Sequence, residues 1–373
     1  MYDTRAKTSI KGLLGWRAHW DATEIPAFTN TALADSETGE YYQQERPFLR
    51  LDYIKQMLPQ GRPLEQYLEE IEEDAVTMLL DAVVEHKKIT SSSKDVVNNV
   101  IIRNAVSYGG AHINEGRFVG VEFMLKPDIS LRAIINRFAL YTTQGQTDLT
   151  MYLYHEHASS PIATYVFNST AGKVQTWSAD VAINLEYSSD TLAGGRFFFG
   201  YYQDDLAGQA KKYNKLNWST GFCSSCDGGK NQRQYKSIEK HLSMRSFYVA
   251  SSALDPSRNL FDINQTFHDN TATYGLNFNI SIRCNLTQFW IDNRTEFKTA
   301  LKKQMQVSIM SDMLSSSQIN YIEQGLQGLI VEQLPAKQEE LKQAIKNITL
   351  DQGNLTSLCL PCAKKPRTFY KSV

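Results

Sequence analysis

In the stretch DLTMYLYHE, residues 148 to 156, apolar and polar side chains alternate one by one. Leu149, Met151 and Leu153 fall on one face of an extended chain, and Thr150 falls on the opposite face. Alternation with a period of two is typical of a β-strand with one buried face. The stretch therefore predicts a strand that packs against a core on one side only.

Stretches of the same character lie on both sides of this one. They are short, rich in β-branched and aromatic residues, and separated by turns that contain Gly, Asp, Ser and Asn. The other five are RFVGVEFMLK (117–126), SLRAIINRFALYT (130–142), PIATYVFN (161–168), KVQTWSADVAINLE (173–186) and GGRFFFGYYQ (194–203). Strands that follow one another without an intervening helix predict an antiparallel β-sandwich of the jelly-roll kind over residues 109–206. They exclude a parallel α/β sheet, whose strands alternate with helices.

Helical patterns lie before and after these strands. Residues 64–88 carry apolar side chains at three- and four-residue intervals, with acidic residues crowding the first half and basic residues closing the last turn. A second helix begins near residue 286, and two shorter helical stretches follow, the last of them after Pro335. The sequence therefore predicts an α+β fold in which the sandwich is inserted in a platform of helices and strands. The platform is assigned to residues 61–108 and 235–373, the latter with a short basic tail.

The first sixty residues contain aromatic side chains among polar ones, without a sustained period. Large rings with no regular pattern by which to bury them within the chain predict an extended N-terminal arm over residues 1–60. We expect the arm to lie across a neighbouring copy and to bury its rings there in a head-to-tail contact. The oligomer contact is assigned to Trp16, Trp20, Tyr41, Tyr42 and Phe48.

The five cysteines include two Cys-x-x-Cys pairs, CSSC at 223–226 within a polar loop over 207–234, and CLPC at 359–362. Two such pairs supply the four thiolates of a structural zinc site, but they lie much further apart than in a zinc ribbon. Neither pair lies in a βαβ unit, where thioredoxin-like redox sites are found. Three interpretations stay open: reduced structural cysteines, a zinc site, and disulfide or redox use. We favour the first, with Cys284 unpaired, because a chain without an export signal folds in a reducing compartment.

Composition and missing motifs narrow the class of function. A net charge of -1 gives no overall field for holding nucleic acid or an anionic membrane. We expect no signal peptide, because the first residues are charged, and no membrane span, because no apolar run is long enough. Signatures for phosphate cradling, dinucleotide binding, zinc proteolysis and α/β-hydrolase chemistry are absent.

One pair of histidines has a spacing that suits a metal. His155 and His157 fall on the same face of one strand, but two ligands are too few for most metal sites, and a strand end that faces water explains them as well. We therefore predict no catalytic residue, no cofactor, no metal ligand and no enzymatic activity.

Several blocks in one order carry a resemblance to a known family. They are PLEQYLEEIEEDAVTMLLDAVVEHKK (63–88), GRFVGVEFMLKPDISLRAIINRFALY (116–141) with TMYLYHE after it, GRFFFGYYQDDLAGQA (195–210), the CSSC loop, LNFNISIRCNLTQFWIDNRTEFKTALKKQM (276–305) and LCLPC (358–362). In this order they resemble virion structural proteins of tailed phages that infect Bacteroidetes, the crAss-like phages included. Such proteins build the tail and connector rings below the portal.

The resemblance implies a specific place and specific partners. It implies a non-enzymatic subunit of a cyclic ring, stacked coaxially with other tail, ring or portal proteins, and assembled in the cytoplasm of the host bacterium. Copies of the chain itself are the first partners. DNA passes through the channel only as cargo, and no membrane is involved.

Two other classes of function compete with this one. A sandwich rich in aromatic residues is similar in strand pattern to carbohydrate-binding modules, so an adhesin or host-glycan binder is the first alternative. Its site requires aligned exposed rings, for which Tyr152, Tyr154, Trp177 and Tyr201 are the candidates. An enzyme is the second alternative, and it requires polar side chains that converge in a deep pocket.

Overall fold

The computed structural model describes residues 2–18, 24–44, 49–89, 94–102, 108–170, 176–187, 192–213, 237–255, 257–258, 261–269, 273–316, 324–351 and 359. The fold is mixed α+β, and its sheets are mostly antiparallel. The chain divides into two compact units: unit 1 comprises residues 1–92 and 286–373, and unit 2 comprises residues 93–285. The 93–285 segment is therefore inserted between the two parts of unit 1.

Unit 1 is built mainly of helices. They are α1 (Thr4–Lys11), α2 (Leu51–Met57), α3 (Leu64–Lys87), α4 (Thr287–Asp292), α5 (Lys298–Ser315) and α6 (Gln324–Asn347). Two short strands, β1 (Leu14–Gly15) and β2 (Glu40–Tyr41), pair in parallel. The α3 helix forms where the apolar stripe predicts it, and it packs on α5, where the Tyr67 hydroxyl donates to Asp312 over 2.8 Å.

The last helix corrects one expectation. Two short helices, the second after Pro335, are expected from the sequence, whereas α6 runs without a break from Gln324 to Asn347 with Pro335 inside it. A proline within a helix removes one main-chain hydrogen bond and strains one turn, a cost that packing can offset. The α6 helix packs on α5, and its Ile330 and Ile345 are buried. Tertiary burial thus overrides the local signal for a helix boundary.

The predicted extended arm is wrong for the described part of residues 1–60. This segment contains α1, α2 and the β1–β2 pair, and all three belong to unit 1. Ion pairs also hold it there: Lys7 and Lys11 bind Glu73 on α3, and Lys298 on α5 binds Glu40 over 2.5 Å. An irregular chain that is packed against helices buries its rings without showing a sequence period, which is why the pattern was misleading.

Unit 2 is built of strands. They are β3 (Asp95–Ile101), β4 (Tyr108–Ala111), β5 (Phe118–Leu125), β6 (Leu131–Leu140), β7 (Gln146–His155), β8 (Ala163–Ser169), β9 (Thr176–Trp177), β10 (Ile183–Glu186), β11 (Arg196–Tyr202), β12 (Lys211–Tyr213), β13 (Leu242–Val249), β14 (Thr266–His268) and β15 (Leu276–Cys284). A six-stranded sheet has the order β14-β13-β5-β11-β7-β8, and a five-stranded sheet has the order β10-β6-β15-β3 with β9 also beside β6. The β4 and β12 strands form a small separate pair.

The borders of the predicted sandwich and platform need correction. The β13, β14 and β15 strands lie in the segment assigned to the platform, yet β13 pairs with β5 and β15 pairs with β6, both in unit 2. The expected strand over 173–186 consists of two short ones, β9 and β10. Partners far apart in the chain leave no local signal, because alternation shows that a strand has a buried face but not which strand lies beside it.

Candidate functional site

The aromatic residues assigned to an oligomer contact lie inside unit 1 where the structure describes them. Trp16 and Tyr42 are fully buried, with ring centroids 4.7 Å apart, and the Trp16 indole nitrogen donates to Glu72 Oε1 over 2.7 Å. Tyr41 is half-buried, with the Arg17 guanidinium 4.0 Å from its ring centre. Trp20 and Phe48 lie outside the described residues. The predicted oligomer contact is therefore wrong for Trp16 and Tyr42, because their rings are buried and cannot contact a second copy of the chain.

The rings proposed for a glycan site are largely covered. Tyr201 is fully buried and its hydroxyl donates to the main-chain oxygen of Tyr274 over 2.8 Å. Tyr154 is also fully buried, and it stacks on Phe261 with ring centres 4.6 Å apart. Tyr152 and Trp177 are half-buried. Sugar binding requires exposed ring faces, so neither Tyr154 nor Tyr201 supplies one.

An arginine contacts the aromatic cluster that contains Tyr154 and Tyr202. Arg258 places its guanidinium 4.6 Å from the ring centre of Tyr202, and the same group forms an ion pair with Asp205. Its main-chain oxygen accepts a hydrogen bond from the Tyr154 hydroxyl over 3.3 Å. These contacts tie Arg258 to β7 and β11 of the six-stranded sheet.

The residues considered for metal binding have other roles. His155 is buried beside Phe197, burial lowers its pKa, and its Nδ1 accepts from the main-chain nitrogen of His157 over 3.2 Å. Within the part of the chain that the structure describes, no group of three or more His, Cys, Asp or Glu side chains could hold a metal ion.

Two cysteines contradict the interpretation favoured from the sequence. Cys284 and Cys359 are each disulfide-bonded. The prediction of reduced cysteines is therefore wrong for both residues, and so is the prediction that Cys284 is unpaired. Sequence spacing could not reveal this, because a disulfide depends on distance in the folded chain. Cys223, Cys226 and Cys362 lie outside the described residues.

A buried carboxylate joins four neighbouring strands of the six-stranded sheet. The side chain of Glu122 on β5 has no exposed surface. Arg196 on β11 donates to it over 2.7 Å, Arg245 on β13 over 3.0 Å, and His268 on β14 lies 2.6 Å away. A buried carboxylate is tolerated only when it is paired and hydrogen-bonded, and these three partners meet that condition. The cluster therefore links β11, β5, β13 and β14 through side-chain contacts across the sheet.

Replacing Glu122 with glutamine is expected to lower the free energy of unfolding of unit 2 by on the order of 2 kcal/mol. Removing one partner of a buried ion pair normally lowers the free energy of unfolding by more than this. Arg196 and Arg245 are about a third exposed, so water can solvate their guanidinium groups and the loss is smaller. Denaturant unfolding with hydrogen exchange at the β5 amides measures the change. Glu115→Gln, which alters an exposed ion pair with Arg117, is the matched control and should change stability by less than about 0.5 kcal/mol. Equal effects of the two substitutions would contradict a structural role for the cluster.

Both edges of the six-stranded sheet expose apolar side chains. The outermost strands are β8 and β14. Val166 on β8 is 63% exposed, and Phe267 on β14 is 51% exposed. Ile162, just before β8, is 40% exposed. An outermost strand presents unpaired main-chain groups to which a further strand can add, and exposed apolar side chains favour such an addition. These two edges, β8 with Val166 and β14 with Phe267, are the candidate interaction surface.

Comparison with known proteins gives no relative. No protein family, no curated protein and no solved structure matches the chain. Among the described residues, no helix combines the length and the apolar character that crossing a bilayer requires.

Two features of the site were missed from the sequence, for different reasons. Glu122 had a signal, since it is the one charge inside the apolar run FVGVEFML, and a lone charge in a buried strand requires a partner. No sequence signal identifies Val166 and Phe267, because their exposure depends on which strands lie at the ends of the sheet.

Proposed function

We propose that the chain is a non-enzymatic structural protein of a phage virion, one subunit of a tail or connector ring that stacks with other rings around the DNA channel. The resemblance of its ordered blocks to virion proteins of Bacteroidetes phages supports this assignment. The observation that carries it is the six-stranded sheet with an apolar side chain exposed at each edge. In this proposal other ring or portal proteins cover the flat faces of the ring, and DNA is cargo.

The position of the two edges supports a specific form of ring contact. Since β8 and β14 end the same sheet on opposite sides, β8 of one copy beside β14 of the next continues the sheet from subunit to subunit. Such a contact is head-to-tail, and head-to-tail contacts close into rings when the rotation between copies allows it. The buried rings of Trp16 and Tyr42 have no part in this contact, which replaces the arm as the means of assembly.

We also propose a jelly-roll-like sandwich for unit 2. Aromatic contacts between the two sheets support it: Phe123 on β5 lies 4.9 Å from Phe278 on β15, and Phe138 on β6 lies 4.9 Å from Phe199 on β11, measured between ring centres. A rigid core of this kind suits a subunit whose edges bear contacts. The glycan-binding alternative has less support, because two of its four candidate rings are buried.

Charged substitutions at the two edges test the ring contact. Val166→Lys and Phe267→Lys each place a charge where the proposed neighbour would bury an apolar group, and both sites are exposed, so the fold should persist. Each substitution is expected to weaken self-association at least about tenfold, or about 1.4 kcal/mol. Light scattering with size-exclusion chromatography over a concentration series measures this.

The control is Ile113→Lys, which changes an equally apolar side chain that is 72% exposed and lies in neither edge strand. Its self-association should match that of the unchanged chain. The proposal is wrong if the unchanged chain stays monomeric at every concentration, or if all three substitutions weaken association equally. Specific binding on a glycan panel by the monomer would favour the adhesin instead.

A further inference from the structure

A cleft of about 280 Å³ lies in unit 2, where β5 ends and β6 begins. Its apolar wall comes from both sheets: Leu125 closes β5, Leu131 and Ala133 lie on β6, and Ile282 lies on β15. All four are buried. The cleft therefore lies at the end of the layer between the sheets, and these four side chains give it an apolar wall.

The remaining lining of the cleft is predominantly basic. Among the described lining residues it includes Lys126, Arg132, Lys240 and His241, together with the carboxylate of Asp128. Main-chain bonding fixes this arrangement, because the Lys126 nitrogen donates to the His241 oxygen over 2.9 Å. The two lysines come from different parts of the chain and are brought to one opening by the end of the β5–β13 ladder.

Two lysines at this opening carry charges that no described side chain pairs. Lys126 and Lys240 are exposed, and neither has an ion-pair partner among the described residues. The Asp128 carboxylate already accepts hydrogen bonds from the Ser130 nitrogen, over 3.0 Å, and from the Ser130 hydroxyl. Burial lowers the pKa of His241, and the charges of Lys126 and Lys240 lower it further against the effect of Asp128. An anion at this position would gain from two cations that lack partners.

We propose that this cleft binds a small organic anion, with its apolar body between the sheets and its carboxylate or phosphate group between Lys126 and Lys240. The combination of an apolar depth with a few polar groups at one end is typical of small-molecule sites, which orient a ligand by its charged end. A free inorganic ion would use the lysines but not the wall, and a neutral aromatic molecule would use the wall but not the lysines. The site is independent of the ring contact, because it contains no residue of β8 or β14.

Phenyl phosphate is a suitable probe, with inorganic phosphate and benzyl alcohol as partial ligands. Ligand-observed NMR titrations of the full chain at low salt should show that phenyl phosphate binds at least about tenfold more tightly than either. The double substitution Lys126→Gln with Lys240→Gln should weaken its binding about tenfold and leave benzyl alcohol unchanged, because only the charged contacts are lost. Both side chains are exposed, so the fold should persist.

Lys55→Gln is the matched control, since it removes the same charge from an exposed position on α2 in unit 1. It should leave phenyl phosphate binding unchanged. The proposal is overturned if benzyl alcohol binds as tightly as phenyl phosphate, if inorganic phosphate does, or if the double substitution and Lys55→Gln have the same effect. Absence of phenyl phosphate binding to the folded, unchanged chain also overturns it. A failed ring assembly would not bear on this result.

Discussion

Replacing Trp16 with alanine is expected to destabilise unit 1 by about 3–5 kcal/mol, the usual range when a large aromatic side chain is removed from a core. Trp16 is fully buried against Tyr42. The substitution also removes the indole donor of Glu72, which is bonded over 2.7 Å, and so leaves a buried carboxyl group without that donor. The long helices lie in unit 1, so denaturant unfolding followed by far-ultraviolet circular dichroism measures the loss.

Two further substitutions separate the causes of this loss. Trp16→Phe keeps most of the apolar volume but removes the donor, so it should cost about 1–3 kcal/mol and fall between alanine and the unchanged chain. Ile25→Ala alters a side chain that is 61% exposed and should change stability by less than about 0.5 kcal/mol. If Trp16→Ala unfolds at the same denaturant concentration as the unchanged chain, the packing of this segment on α3 is refuted and an arm free to reach a neighbour is restored.

Replacing Glu72 with glutamine is expected to stabilise unit 1 at alkaline pH. Burial raises the pKa of Glu72 from 4.5 to about 8, against the lowering effect of the Trp16 hydrogen bond. Between pH 4.5 and about 8 the folded protein holds a proton that the unfolded chain has released, so stability falls by about 1.4 kcal/mol for each pH unit in that window. A glutamine carries no such penalty and can still accept from Trp16. Near pH 8 it should be more stable by on the order of 4 kcal/mol.

Unfolding free energies measured from pH 4.5 to pH 8 test this prediction, and the two curves should converge at the acidic end. Glu73→Gln is the control on the next residue of α3. Burial raises the pKa of Glu73, but the Lys7 hydrogen bond and the charges of Lys11 and Lys7 outweigh it, so the net pKa is lowered. The stabilisation by Glu73 is therefore present above its unfolded pKa and is lost as the pH falls through its folded pKa. This pH dependence of stability is opposite in sign to that of Glu72. Parallel pH curves for Glu72→Gln and the unchanged chain would show that Glu72 is ionised in the folded state.

The strands of unit 2 were the part of the fold that the sequence predicted best. The β5, β6, β7, β8 and β11 strands lie where short stretches rich in β-branched and aromatic residues predict them. The expectation of a single buried face is wrong for β5 and β11, whose side chains are buried on both faces of the sheet. The pairing of β13 with β5 and of β15 with β6 could not be predicted, since it joins distant parts of the chain. The fold class could therefore be predicted from the sequence, whereas the border between the two units could not.

The candidate interaction residues were harder to predict from the sequence than the fold. The exposure of a side chain depends on its three-dimensional surroundings rather than on the local sequence pattern. Trp16 lies in a segment without a regular sequence pattern. Its burial cannot be predicted from that segment alone, because it depends on packing against α3. The exposure of Val166 reflects the place of β8 at the end of a sheet, and the burial of Tyr201 reflects the place of β11 in the middle of the same sheet. Both residues belong to strands with similar sequence texture, so only the strand order separates them.

Electron microscopy of the purified chain distinguishes a ring subunit from a protein that stays monomeric. Class averages should show closed particles with rotational symmetry, because sheet edges that pair head-to-tail around an axis generate a ring. The same preparation with Val166→Lys and Phe267→Lys combined should show only particles the size of one chain. Single-chain particles from the unchanged protein, at concentrations where light scattering finds no self-association, would contradict the assignment as a ring subunit. Rings that persist with both substitutions would place the contact away from β8 and β14.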